Sequence, residues 1–277
     1  MAHIGYLNTL EVVKEVEFGL YLDGANLGEI LLPKRYVPAG VAIGDEIEVF
    51  VYLDSQDRLV ATTDKPLAQL GQVACLKVVD VNRTGAFMNW GMPKDLFVPY
   101  AEQRVPMEQG RRYCVYLYLD KSGRIAASSK LSLYLSEQSK NFKAGQAVTL
   151  LIVSQSKMGF TAVIDGTHLG LLHHSDLIQP LKIGQQLNGY IKGIRDDRKI
   201  NLTLQPSGAQ AHDDLADKII ADLRANDGVS SLTDASSPEE IFQRFRVSKA
   251  RYKKALGRLY KAKKIDLSKQ SVRLLES

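Results

Sequence analysis

Residues 44–63 read GDEIEVFVYLDSQDRLVATT, residues 110–130 read GRRYCVYLYLDKSGRIAASSK and residues 184–205 read GQQLNGYIKGIRDDRKINLTLQ. One pattern is written three times. Each copy opens on a glycine, runs through a strand, turns at a short polar loop (DSQDR, DKSGR, RDDRK) and returns in a second strand. In the first copy Ile47, Val49, Val51 and Leu53 alternate with Glu48, Phe50 and Tyr52, the period of two that marks a half-buried strand. The repeat extends upstream. Gly19, Gly44 and Arg58 recur 66 residues on as Gly85, Gly110 and Arg124, and these recur 74 residues on as Gly159, Gly184 and Arg198. Such internal periodicity sets the architecture before any single motif is read.

Two further short strands precede each hairpin: VEFGLYL and GEILLP, VNRTGAFMNW and KDLFVP, QSKMGFTAV and LGLLHHSDL. Gly19, Gly85 and Gly159 each interrupt a strand pattern, where glycine marks a bulge or bend that curls a sheet. Units of about 60 residues with five strands predict small barrels of the OB-fold type. The alternative is three unrelated hairpin modules. The fold expected is mainly β, three tandem five-stranded barrels (residues 1–66, 67–143 including a linker, and 144–206), with a C-terminal α+β domain over 209–277.

That C-terminal domain carries the charge asymmetry. The whole chain of 277 residues has a net charge of +5. Residues 213–240 hold eight acids and two bases, whereas residues 244–264 hold ten bases and no acid. A segregated basic block marks a phosphate-binding face, and it forgoes local ion pairing. QPSGAQA (205–211) has linker composition. Beyond it Leu215, Ile219, Ile220 and Leu223 space a helix from Asp213 to Ala225. Ser237 and Pro238 open a second helix and Ser248 caps a third, whose apolar stripe is Ala255, Leu256 and Leu259 with Tyr252 beside it. Lys264–Leu267 and Ser271–Leu275 read as two strands. Three helices and a hairpin make a winged-helix layout, with the third helix presenting Lys249, Arg251, Lys253, Lys254, Arg258 and Lys261.

Composition excludes other classes. Hydrophobic residues are 45% and charged residues 24%, enough for a real core. No apolar run approaches a membrane span, and the N-terminus lacks a signal-peptide pattern; the expectation is a cytoplasmic protein with no membrane partner. Cys75 and Cys114 make neither a CxxC motif nor a disulfide framework. No Walker loop, GxGxxG or GxSxG motif occurs. His174, Ser175 and Asp176 are consecutive and cannot converge as a triad. His173 and His174 are adjacent on a strand and point to opposite faces, so no metal set forms. No enzyme activity, cofactor or metal is expected.

The repeated units resemble the S1 RNA-binding domain, through TGAFM and DKSGRIAASSK in the second and GLLHHSDL and RKINLTL in the third. The first unit, with FGLYL and GEILLP, is the most divergent. The order of three such units and a winged helix resembles the conserved virulence factor B family, bacterial RNA-binding regulators linked to virulence-factor production. The resemblance implies a single-stranded RNA partner, bound by stacking bases on rings and by cations along the backbone. Position by position it implies Phe18, Tyr21, Asp54 and Arg58 in the first unit. In the second it implies Phe87, Asp120 and Arg124, with Thr84 in the first aromatic place. In the third it implies His173 and Arg198, with Met158 and Thr161 at the ring positions and Phe160 in the core. Tyr21 and Phe87 alternate with Leu20, Leu22, Ala86 and Met88, which places both rings outward. Trp90 either extends the stacking surface or closes a barrel end. A second aromatic column, Phe50, Tyr116 and Tyr190 with Tyr52, Tyr118 and Lys192, reads as packing between units. Two other functions stay open: a winged-helix DNA-binding transcription regulator, and a protein adaptor on the ribosome or transcription machinery.

Overall fold

The structure, a computed structural model, describes residues 1–177, 180–205, 209–268 and 270–275. The chain forms two compact units, residues 1–135 and 136–277.

The first unit contains two barrels. One is built from β1 (Leu7–Val16), β2 (Gly19–Asp23), β3 (Glu29–Pro33), β4 (Glu46–Leu53) and β5 (Leu59–Thr62). The second comprises β6 (Val73–Asn82), β7 (Gly85–Asn89), β8 (Leu96–Pro99), β9 (Arg112–Leu119) and β10 (Ile125–Ser128). The first closes in the order β1-β2-β3-β5-β4, and the second repeats that order. Within each, the third and fifth strands pair in parallel and the rest antiparallel. This is the OB-fold topology that the repeat predicts.

The glycines work differently from the expectation. Gly19 and Gly85 are the first residues of β2 and β7. The bulge lies in the preceding strand, where the register slips between Val12 and Lys14 and between Val78 and Asp80. Glycine is required because the neighbouring strand crosses so closely. A Cβ at Gly19 would stand 2.2 Å from the Leu32 carbonyl oxygen, and one at Gly85 2.4 Å from that of Val98.

The two barrels share a continuous core. Phe50, Tyr52 and Val60, from the outer face of the first, pack with Ala68, Leu70, Trp90 and Met92 of the second. The column of Phe50 and Tyr52 is therefore packing between units, as its alternation suggests. Tyr116 and Tyr118 instead stack on Tyr134, with ring centroids 4.5 and 5.3 Å away.

In the second unit, β11 (Ala147–Gln155), β12 (Gly159–Ile164), β13 (His168–His173), β14 (Gln186–Ile194) and β15 (Ile200–Thr203) close a third barrel in the same order. The bulge again precedes the glycine, between Ile152 and Ser154. Phe160 is buried in the core, as read from sequence. Residues 136–143, within the stretch read as the second barrel with its linker, pack against the third barrel. Ser136 bridges to His168, and Phe142 lies against the third core.

The winged-helix domain runs α1 (Ala209–Ala225), β16 (Val229–Ser230), α2 (Pro238–Phe245), α3 (Lys249–Lys261), β17 (Ile265–Leu267) and β18 (Val272–Leu274). The expected linker falls partly on residues 206–208, outside the described residues; Ala209–Ala211 belong to α1, four residues before the expected start. The sheet order is β16-β18-β17, so the wing has a third strand that two residues could not reveal as a pattern. The Ser237 Oγ accepts from the Glu240 N–H while the Glu240 carboxylate accepts from the Ser237 N–H, closing a capping box around Pro238. Ser248 caps α3. Tyr252, Ala255, Leu256 and Leu259 are buried against Leu215, Ile219, Leu223 and Ile241. Among the described residues, no helix is long and apolar enough to cross a membrane.

Candidate nucleic-acid interface

On the first barrel, the turn between β1 and β2 lifts Phe18 clear of the sheet, 58% exposed. Its ring meets Tyr21 edge-on, centroids 6.5 Å apart. Tyr21 points outward because Leu20 and Leu22 take the inward positions. Lys14, its cross-strand partner, carries its Nζ 5.7 Å from the Tyr21 ring centroid. The β4–β5 hairpin holds Asp54 and Arg58. The Arg58 Nε and Nη2 both donate to Asp54 Oδ2, at 2.9 and 2.7 Å, while Oδ1 accepts from the Gln56 and Arg58 backbone. Burial pushes the Asp54 carboxyl up, but the Arg58 hydrogen bonds outweigh it and hold it below the ordinary range. Asp54 thus shapes the turn and restrains Arg58.

On the second barrel Phe87 faces outward on β7. Opposite it in register on β8 lies Phe97, ring centroids 5.2 Å apart. The two rings line a groove of about 410 Å³ with Thr84, Lys94, Asp95, Asp120 and Arg124, walled on the far side by Tyr52 and Leu53 of the first barrel. The Asp120 carboxylate accepts from the Ser122 N–H and hydroxyl and from the Arg124 N–H. Arg124 does not reach freely into the groove. Its Nε and Nη2 both donate to the Asp57 carboxylate, in the last hairpin of the first barrel. The Arg124 hydrogen bonds hold the Asp57 carboxyl below its ordinary range. Burial, then the neighbouring Asp80, raises that of Asp95.

Trp90 is a correction. It is 3% exposed, its Nε1 donates to the Lys94 carbonyl at 2.6 Å and its ring meets Phe50 edge-on at 5.7 Å. The indole packs in the barrel-to-barrel core and, at 3% exposure, only backs the groove that the outward rings line. Phe97 is the ring that sequence reading missed. Its signal was present, since Leu96 and Val98 take the inward positions on either side.

The third barrel gathers less. His173, half-buried at the end of β13, has its Nε2 3.4 Å from Asn201 Oδ1. His174 turns its Nε2 to the Ser156 carbonyl instead, at 3.0 Å. Arg198 is exposed in the β14–β15 turn with a left-handed backbone, φ 65°. Lys192 is ion-paired to Asp176 at 2.7 Å.

On α3 the six expected cations divide. Lys249 donates to the Ala235 carbonyl, Arg251 to the Gln205 side chain, and Lys253 pairs with Asp234 at 3.3 Å. Lys254, Arg258 and Lys261 are exposed. At spacings of four and three they share the helix face opposite Tyr252 and Leu259.

Arg124 yields a measurable consequence. Asp57→Asn releases its guanidinium toward the groove and removes a carboxylate beside it. Affinity for nucleic acid then rises about threefold to tenfold at low salt, and log K against log salt steepens by about 0.7–0.9, the slope of one further phosphate contact. An unchanged slope in a salt titration followed by anisotropy would place Arg124 outside the binding path.

These barrels and helices define a nucleic-acid-binding type of protein. The chain matches the S1 domain family over residues 4–64 and 70–130, and the CvfB-like winged helix domain over residues 217–274. It is 31% identical over 271 residues to the uncharacterized protein YitL of Bacillus subtilis, covering 93% of this chain and 89% of that one. It is 24% identical over 282 residues to conserved virulence factor B of Staphylococcus aureus, covering 98% and 94%. A crystal structure of a multidomain protein with nucleic acid binding domains from Streptococcus pneumoniae is 25% identical and covers 98% of each chain, with a TM-score of 0.40. The chain belongs to the conserved virulence factor B family.

Proposed function

We propose that this protein binds single-stranded RNA in the cytoplasm and acts on gene expression after transcription, as a binder rather than a catalyst. One observation carries the reading: Tyr21 beside Lys14, and the Phe87–Phe97 pair beside Lys94, are rings turned outward and accompanied by cations. That pairing suits unstacked bases and their phosphates, and it supplies no base-edge code, so binding is sequence-tolerant. One OB fold covers about 4–16 nucleotides. A strand long enough to engage several modules gains avidity without new contacts.

The exposed face of α3 contributes phosphate contacts to the same strand. Replacing Lys254, Arg258 and Lys261 together by alanine flattens the salt dependence by about 2, at about 0.7 per phosphate on single strands. Titrating labelled poly-U, poly-A and duplex DNA in one buffer tests the whole reading. Preference for both homopolymers over the duplex supports it. Preference for the duplex, lost in the triple variant, assigns the winged helix to DNA. No affinity for any of the three leaves the barrels to protein partners.

A further inference from the structure

The fold brings the chain's two cysteines face to face. β6 and β9 run antiparallel, and their register pairs Cys75 directly with Cys114. The Leu117 N–H donates to the Gln72 carbonyl on the same ladder. Hydrogen-bonded and non-hydrogen-bonded pairs alternate along such a ladder, so Cys75 and Cys114, three steps on, are a non-hydrogen-bonded pair. Their Cα atoms then stand about 4.5 Å apart, inside the roughly 4.4–6.8 Å window a disulfide spans. The corresponding pairs in the sister barrels are Thr9 with Glu48 and Thr149 with Asn188. The barrel accepts ordinary polar residues at these places, so packing does not demand thiols.

We propose that Cys75 and Cys114 are a reversible oxidation site: a hydroperoxide oxidises Cys75, and Cys114 resolves it as a cross-strand disulfide. The roles follow from exposure. Cys75 is half-buried and reachable, whereas Cys114 is 6% exposed. Cys75 also ionises more readily than an ordinary thiol. The Cys114 side chain hydrogen-bonds to it and, against the opposing effect of burial and with help from the Arg112 charge, brings its thiol down to about 7. Arg112 is held there by its own bond to the Cys75 carbonyl.

In the first step the Cys75 thiolate attacks one peroxide oxygen. The O–O bond breaks, the departing oxygen takes a proton and leaves as alcohol or water, and Cys75 becomes a sulfenic acid. The Cys114 sulfur then attacks the Cys75 sulfur. The S–O bond breaks, the hydroxyl leaves as water with the Cys114 proton, and the disulfide closes. The peroxide gains two electrons and the two thiols lose them. A dithiol reverses the reaction by exchange.

The test uses the full chain treated with hydrogen peroxide, then alkylated and analysed by mass spectrometry. The expected result is a monomer lighter by two hydrogens, both titratable thiols lost, a linked peptide containing Cys75 and Cys114, and full recovery with dithiothreitol. In the unoxidised protein, iodoacetamide labelling of Cys75 has its midpoint near pH 7, against about 8.5 for an ordinary thiol. The Cys114→Ser variant stops at a dimedone-reactive Cys75, and Cys75→Ser loses peroxide sensitivity. Wild-type protein that keeps both thiols under peroxide, or that loses them only to disulfide-linked dimers, overturns the proposal.

Discussion

The double variant Tyr21→Ala, Phe87→Ala binds a single-stranded RNA spanning both barrels more weakly by about 2–6 kcal/mol, at about 1–3 kcal/mol for each lost stack. Neither ring supports the fold to a comparable degree. Leu20 and Leu22 fill the first core beside Tyr21, and Ala86 and Met88 fill the second beside Phe87. Truncating the outward rings leaves those positions intact, so an unchanged circular dichroism spectrum and melting curve accompany the loss. The single variants carry further information. Phe97 remains in the groove when Phe87 is removed and preserves part of the platform, so Phe87→Ala alone costs less than Tyr21→Ala alone. The two losses add if one strand occupies both barrels at once. If the strand uses one barrel only, the double variant is no worse than the poorer single. Anisotropy at one fixed salt concentration reads all three. A double variant within twofold of wild type would take the outer rings out of the interface.

Much of the architecture was legible because it rests on local rules. Period-two alternation decides which side of a barrel strand is apolar, and it placed Tyr21 and Phe87 outward. Capping chemistry is equally local: Ser237, Pro238 and Glu240 announce the start of α2 within four residues. What escaped depends on contacts between distant segments. Nothing near Trp90 in the chain says that Phe50 will cover it, and nothing near Arg124 says that Asp57 will take its guanidinium. The glycines show a subtler failure. Gly19, Gly85 and Gly159 were correctly marked as special, but for a bulge. Their backbone instead passes beneath the Leu32, Val98 and Leu172 carbonyls of the next strand, and the bulge sits in the strand before. Phe97 is a different kind of omission. Its alternation with Leu96 and Val98 is as clear as that of Phe87, but it lies outside the strand motif on which the resemblance rests. The cysteine pair needed the β6–β9 register, which neither strand's own pattern supplies.

Trp90→Ala destabilises the first unit by about 3–5 kcal/mol, the cost of a large buried ring replaced by a cavity. The transition that unfolds residues 1–135 moves down by about 10–20 °C in calorimetry. The cost is high because the indole fills space against both Phe50 and its own barrel while its N–H satisfies the Lys94 carbonyl, which the truncation leaves unpaired. Trp90 is the only tryptophan, so wild-type fluorescence reports this one place. Its emission is blue-shifted, resists acrylamide, and changes little when RNA saturates the protein. Strong quenching by RNA would return the indole to the interface. The functional effect travels through the groove. Tyr52 and Leu53 wall the side of it that faces Phe87 and Phe97, and they stay there only while the two barrels are packed together. At a temperature where Trp90→Ala is still folded, long strands therefore lose affinity although no contacting ring has been removed, and Trp90→Phe, which refills most of the cavity, recovers it. Equal loss in both variants would mean that the indole nitrogen, and not the packing, positions the groove.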